Sequence, residues 1–296
     1  MKRTLLFPCK LRYLGYLLAI PGLILGYMVA YQKYEIPGFE LRIRENDSLF
    51  ISAIENFTNE LALTLVIVGL ILVAFSKLKH EDELTGKIRL NALYWSILIN
   101  YCFYTLFSLL SLFSDRNSLH IIVSGFLSTY VTFTIYNFFI PLVIFILRFY
   151  YLLYRNKNEY TIKQVHYLPN KPYLFIGKWV SLIIIAMLVV NQLFKLNIKW
   201  FETSFMLLPL SLLLWAYSKE RAEDEYISTI RLEAMQIAVY VNYVILLISN
   251  MLVYGFDFLL IQMINLVTIP LIFIAWFQYR LYRSNQQAEL KSALSS

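Results

Sequence analysis

Two cysteines and three histidines in 296 residues are too few for a disulfide framework or a Cys/His metal centre. Cys9 and Cys102 lie far apart, and His80, His120 and His166 show no metal-ligand spacing. No cofactor is implied. Charge is scarce as well: 15% of residues are charged, against about 25% in soluble domains. A chain so poor in charge cannot cover itself with polar surface in water, which excludes a soluble globule. Common catalytic signatures are missing too. There is no HExxH, no GxSxG and no phosphate-binding GxxxxGK, which points away from an enzyme.

What the chain has is hydrophobic residues, 59% of the total, with a mean hydropathy of +0.60. They are grouped in apolar stretches at roughly 11–31, 60–75, 92–113, 120–150, 173–194, 202–217, 234–254 and 257–280. Most have the ~17 to 25 residues that cross a ~30 Å hydrocarbon core as a helix. The expected fold is therefore an all-α membrane protein of about eight transmembrane helices. The stretches at 60–75 and 202–217 are short, and 120–150 is long and holds Gly125 and Pro141, so a tilt, kink or interfacial turn is expected there. The basic and apolar start resembles a signal peptide, but no convincing small-residue cleavage site follows. A retained first helix is the expectation.

The net charge of +7 raises the question of nucleic acid, yet the basic residues lie between apolar stretches instead of forming one face. Nucleic acid is not an expected partner; the lipid bilayer is. With an internal amino terminus, 20 of the 26 Lys and Arg fall in internal segments: 4 in 2–12, 4 in 77–89, 6 in 148–178, 3 in 219–231 and 3 in 280–291. The six external ones are Lys33, Arg42, Arg44, Arg116, Lys195 and Lys199. That split predicts both termini in the cytoplasm.

The sequence also repeats itself. Ser76 to Tyr101 aligns without a gap on Ser218 to Tyr243 at an offset of 218 − 76 = 142, with 11 of 26 positions identical. Further matches run from Asn137 to Arg155 against Asn265 to Arg283 at an offset of 128, and from Pro8 and Lys10 to Pro169 and Lys171 at 161. The length changes fall in external loops. Each copy then holds four crossings, so residues 1–160 and 161–296 read as two parallel, same-orientation four-helix repeats.

Two sets of residues in the repeat could carry chemistry. One is the loop motif Glu81, Asp82, Glu83 with Arg89, and its copy Glu223, Asp224, Glu225 with Arg231. Seven helical residues advance ~700°, within ~20° of two turns, so Asp82 and Arg89 share a face, as do Asp224 and Arg231. Pairing of each arginine with the aspartate or a neighbouring glutamate is expected; first-turn acids opposing the helix dipole are the simpler reading. The other set is intramembrane: Asn100, Tyr101 and Asn137, repeated as Asn242, Tyr243 and Asn265. Arg89 to Asn100 is eleven residues, a rise of ~16 Å on the same stripe, which puts Asn100 near the bilayer midplane. Polar groups at that depth are costly unless paired and are functional candidates. Glu60, Glu202 and Asp257 fall near external helix ends, and Asn56-Phe57-Thr58 fits a glycosylation sequon.

The run Val73-Ala74-Phe75-Ser76-Lys77, Glu81-Asp82-Glu83 and Arg89-Leu90, with Tyr217-Ser218-Lys219-Glu220 and Glu223-Asp224-Glu225, resembles a group of uncharacterised bacterial multi-pass membrane proteins. The resemblance implies a bacterial inner membrane and no particular activity. Two functions are expected from these features: a small permease or channel-like module, or a regulatory or scaffold subunit whose cytoplasmic face binds a soluble protein partner.

Overall fold

Apolar runs without internal backbone competition favour helices, because in lipid every N–H and C=O must be satisfied within the segment. The computed structural model describes residues 5–41, 55–79, 81–114, 138–155, 165–195, 204–220, 224–253 and 256–295. Among these lie eight α-helices: α1 (Leu11–Gln32), α2 (Thr58–Phe75), α3 (Glu83–Ser114), α4 (Ile140–Arg155), α5 (Phe175–Leu193), α6 (Leu208–Ala216), α7 (Glu225–Leu252) and α8 (Phe256–Ser295). Five spans are long and apolar enough to cross a membrane: Leu11–Gln32, Thr58–Phe75, Asn170–Phe194, Glu225–Leu252 and Ile264–Gln287. The chain is a helical membrane protein. Pro141 stands in the first turn of α4, where a missing N–H costs nothing, instead of kinking a longer helix. The rest of the expected irregular stretch, up to residue 137, lies outside the described residues.

Two compact units make up the fold, each discontinuous in sequence. The first comprises Met1–Ala92, Thr129–Ile162 and Tyr243–Met263; the second comprises Leu93–Ser128, Lys163–Asn242 and Ile264–Ser296. These units are defined by packing, and their boundaries fall elsewhere than between residues 160 and 161; the expected halves 1–160 and 161–296 rest on sequence matches alone.

In the first unit α1 lies backbone to backbone on α2. Its buried residues are Gly15, Ala19 and Gly22, a stripe of small side chains at helical spacing. A Cβ at Gly69 of α2 would come within 2.5 Å of the Ala19 nitrogen, so only glycine allows this approach. Tyr13, Leu17, Ile20 and Ile24 of α1 are exposed, as suits a lipid-facing surface where association depends on close packing of small residues. The loop before α2 carries a minimal antiparallel pair, β1 (Glu40–Leu41) with β2 (Glu55–Asn56). Asn56 is spent there: its Nδ2 donates to the Ile36 carbonyl at 2.9 Å and its Oδ1 accepts from the Thr58 N–H at 3.0 Å. Thr58 is buried. A sequon whose amide and hydroxyl are both held this way is a poor glycan acceptor.

The second unit contains an equivalent close pair. The buried residues of α5 are Gly177, Ser181 and Ile184. A Cβ at Gly177 would meet the Trp215 nitrogen at 2.5 Å, and Ser181 Oγ donates to Ser211 Oγ at 3.1 Å across the α5–α6 contact. Exposed Phe175, Trp179, Ile183 and Leu193 cover the opposite side of α5.

Candidate functional site

A helix leaves its last carbonyls without intrahelical donors, and the end of α2 shows where those acceptors go. Arg89 donates from Nη1 to the Ala74 carbonyl and from Nη2 to the Ser76 carbonyl, each at 2.9 Å. The Phe75 carbonyl accepts from the Phe7 N–H at 3.0 Å, and the Lys77 carbonyl accepts from Arg12 Nη2 at 2.9 Å. Lys77 N–H returns a bond to the Phe7 carbonyl at 2.9 Å, making a short parallel bridge between the start of the chain and the end of α2. Arg89 is 0% exposed. Its Nε donates to Glu81 Oε1 at 3.1 Å, its Nη2 approaches Glu81 Oε2 at 3.4 Å, and its guanidinium carbon lies 4.6 Å from the Phe149 ring centre. A guanidinium is suited to this task because its planar fork serves two carbonyls and a carboxylate while its face stacks on an aromatic ring.

The second unit holds the same arrangement at the end of α6. Arg231, 1% exposed, donates to the Ala216 carbonyl at 3.1 Å and to the Ser218 carbonyl at 2.9 Å. The Tyr217 carbonyl accepts from the Leu168 N–H at 2.9 Å, Lys219 N–H donates to the Leu168 carbonyl at 2.9 Å, and the Lys219 carbonyl accepts from Asn170 Nδ2 at 2.7 Å. The guanidinium lies 4.4 Å from the Tyr167 ring centre and 4.7 Å from that of Phe277. Glu223 lies outside the described residues.

The aspartates take a different job. Asp82 Oδ1 accepts from the Thr85 N–H at 2.8 Å while Thr85 Oγ1 accepts from the Asp82 N–H at 3.1 Å, a reciprocal cap at the start of α3. Asp224 Oδ1 accepts from the Ile227 N–H at 2.7 Å at the start of α7. The glutamate that reaches Arg89 is thus Glu81, whereas the face-sharing argument favoured Asp82. That argument counted helical turns from a residue that precedes the helix, which begins at Glu83. Glu83 forms an exposed i,i+4 pair with Lys87 at 3.3 Å, and Glu225 is exposed in the first turn of α7.

The intramembrane set divides. Asn100 and Asn242 are 3% and 2% exposed, and both belong to the second unit. Asn265 belongs to it too. The Oδ1 atoms of all three are buried and accept no hydrogen bond from the described residues. Tyr101 is fully used: its hydroxyl donates to the Leu266 carbonyl. Pro270 lies inside α8 and has no N–H, so the carbonyl four residues earlier, Leu266, lacks its helical donor, and Tyr101 replaces it. Tyr243 is buried on α7 in the first unit, and Asn137 lies outside the described residues.

Several participants carried no sequence signal. Backbone carbonyls have no signature in a sequence, and Tyr167 looks like any other aromatic near a helix end; Phe149 and Phe277 are a matched pair at the offset of 128, but nothing in the sequence tied them to the arginines. Arg148, whose Nε and Nη2 donate to Asn91 Oδ1 at 3.1 and 3.0 Å, and Arg280, paired with Glu233 at 2.9 Å, join residues far apart in the chain. Glu60 is 5% exposed in the first turn of α2, its carbonyl accepting from Asn250 Nδ2 at 3.2 Å. Among the described residues no group of three His, Cys, Asp or Glu could hold a metal ion. No family model, no curated protein and no solved structure matches the chain.

Proposed function

We propose that the protein is a small permease or channel-like module of a bacterial inner membrane, without enzymatic activity. In this reading it has eight crossings, both termini in the cytoplasm, and two parallel four-helix repeats descended from one ancestral half. The observation that carries the transport reading is the set of three buried asparagine oxygens in the second unit, Asn100, Asn242 and Asn265, which accept nothing from the described residues. An unpaired buried acceptor costs ~1 to 3 kcal/mol, so a fold that keeps three has a use for them. The repeat is supported by the shared carbonyl contacts of Arg89 and Arg231, which recur at the same offset of 231 − 89 = 142 as the sequence matches.

The rival reading is a regulatory or scaffold subunit that binds a cytoplasmic protein through the acidic loops. It draws on the exposure of Glu83, Asp224 and Glu225. Against it, Glu81 serves Arg89, and Asp82 and Asp224 cap their own helices.

Single cysteines at positions 100, 242 and 265, in a background carrying Cys9→Ser and Cys102→Ser, separate the two. A small membrane-impermeant thiol reagent should label at least one of them in sealed vesicles, because a permease gives water access to its polar layer. Protection of all three from both sides rejects transport and leaves the scaffold. Reporter fusions after Lys79, Lys163, Arg221 and the carboxyl terminus should all report the cytoplasm; one external signal breaks the eight-crossing topology.

A further inference from the structure

We infer that Arg12, Tyr16 and Tyr150 hold the phosphate of an anionic phospholipid whose acyl chains lie along α1. The inference needs only a helical membrane protein, not transport, and under the topology proposed above the lipid belongs to the cytoplasmic leaflet.

Arg12 carries more charge than its backbone contact requires. Its Nη2 donates to the Lys77 carbonyl at 2.9 Å. In the second unit the carbonyl of Lys219, 219 − 77 = 142 residues further on, takes its bond at 2.7 Å from Asn170, a neutral amide. The shared task is thus done there without a cation. Arg12 is half-buried, and its Nε is enclosed without an acceptor. The ion pairs among the described residues join Lys87 with Glu83, Arg89 with Glu81 and Arg280 with Glu233, so none of them neutralises Arg12. No acidic residue occurs in 1–34 or 116–158, and the formal charges on α1 and α4 are therefore all positive.

Two hydroxyls complete the site. The Arg12 guanidinium carbon lies 5.9 Å from the ring centre of Tyr150 on α4, and the Tyr150 hydroxyl has that of Tyr16 within hydrogen-bonding reach. Tyr16 is exposed, about one helical turn from Arg12. A phosphodiester accepts hydrogen bonds from a guanidinium and from hydroxyls, and basic pockets between membrane helices bind such headgroups. The apolar part of the ligand has a track as well. Exposed Ile20 and Leu23 lie within ~80° of Arg12 around α1, and Leu23 is 23 − 12 = 11 residues, ~16 Å, deeper. That is about half of a ~30 Å hydrocarbon core, the depth an acyl chain fills in one leaflet. A zwitterionic headgroup would bring its own ammonium among these cations, whereas phosphatidylglycerol and cardiolipin bring none.

The test is thermal unfolding of the delipidated protein in neutral detergent, with dioleoyl phosphatidylglycerol, tetraoleoyl cardiolipin or dioleoyl phosphatidylcholine added in mixed micelles. At least one of the two anionic lipids should raise Tm saturably, by about 3 °C or more, and phosphatidylcholine at the same mole fraction should not. Inorganic phosphate at equal ionic strength should leave Tm unchanged, because it has no chain to lie along α1. Arg12→Gln, whose amide can serve the Lys77 carbonyl as Asn170 serves that of Lys219, should raise the half-saturating mole fraction at least tenfold, and Tyr16→Phe about threefold. Arg283→Gln removes the same charge from an exposed position on α8 and should leave that fraction unchanged. Equal responses to anionic and zwitterionic lipid overturn the inference, as does an equal rise in inorganic phosphate. A loss in Arg283→Gln matching that in Arg12→Gln overturns it too, since the response would then follow net charge alone. If Arg12→Gln does not fold, an unchanged half-saturating mole fraction in Tyr16→Phe overturns it.

Discussion

The nests around Arg89 and Arg231 hold the same backbone and each set a phenylalanine ring, Phe149 or Phe277, against the guanidinium, but differ in much else. Each arginine takes the same two carbonyls, and a peptide N–H from a residue preceding the first helix takes the carbonyl between them. The surroundings change freely. Phe75 stacks on Phe145 at 5.3 Å, whereas Tyr217, one residue past Ala216 as Phe75 is past Ala74, turns its hydroxyl to the Tyr94 carbonyl at 2.7 Å. Before the bridging residue stands Leu6 in one unit and Tyr167 in the other, and only the tyrosine offers a ring to the guanidinium. Recognition of a helix end is the constant, and the apolar dressing adapts to it.

Removing an arginine should have the largest effect. Arg89→Gln and Arg231→Gln should each cost about 3 to 5 kcal/mol, because buried partners lose their counterpart. A drop in Tm and folded yield measures this, and a nest whose variant keeps the parental Tm would be ornamental. Arg89→Lys and Arg231→Lys should rescue little, since a point ammonium lacks the fork that serves two carbonyls.

The next largest effect tests an element found in the second unit. Tyr101→Phe leaves the Leu266 carbonyl without a donor and should cost ~1 to 3 kcal/mol. In a Pro270→Ala background residue 270 regains its N–H, and the same change should cost almost nothing. Additive losses in the double variant would refute the replacement of the helical donor by Tyr101.

The caps come third. Asp82→Ala and Asp224→Ala should each lose ~1 kcal/mol, with Asp82 the larger because Thr85 answers it. Smallest of all, Lys87→Ala breaks the exposed pair with Glu83 and should move stability by less than ~0.5 kcal/mol.

Much of this was legible from the residues. Length and hydropathy located the helices, since a bilayer imposes a minimum apolar run, and first-turn acids at the starts of α3 and α7 follow from helix-end electrostatics. The equal spacing of acid and arginine singled out Arg89 and Arg231. It did not reveal what they hold, because a carbonyl is present at every position and only the end of a helix makes it hungry for a donor. The asparagines stood out as polar residues within apolar stretches, but the burial of their oxygens is visible only in the structure. The bond from Tyr101 to Leu266 spans 266 − 101 = 165 residues, and no local pattern encodes it.

Chain order in the two nests bears on how the protein is made. Phe7, Ala74, Ser76 and Glu81 all precede Arg89, just as Tyr167, Leu168, Ala216 and Ser218 precede Arg231. Of the contacts described above, the ring faces of Phe149 and Phe277 arrive afterwards. During vectorial synthesis each guanidinium therefore leaves the ribosome to find these hydrogen-bond acceptors already translated. The charge can be shielded as soon as the two helices preceding it have paired, before the following helix enters lipid.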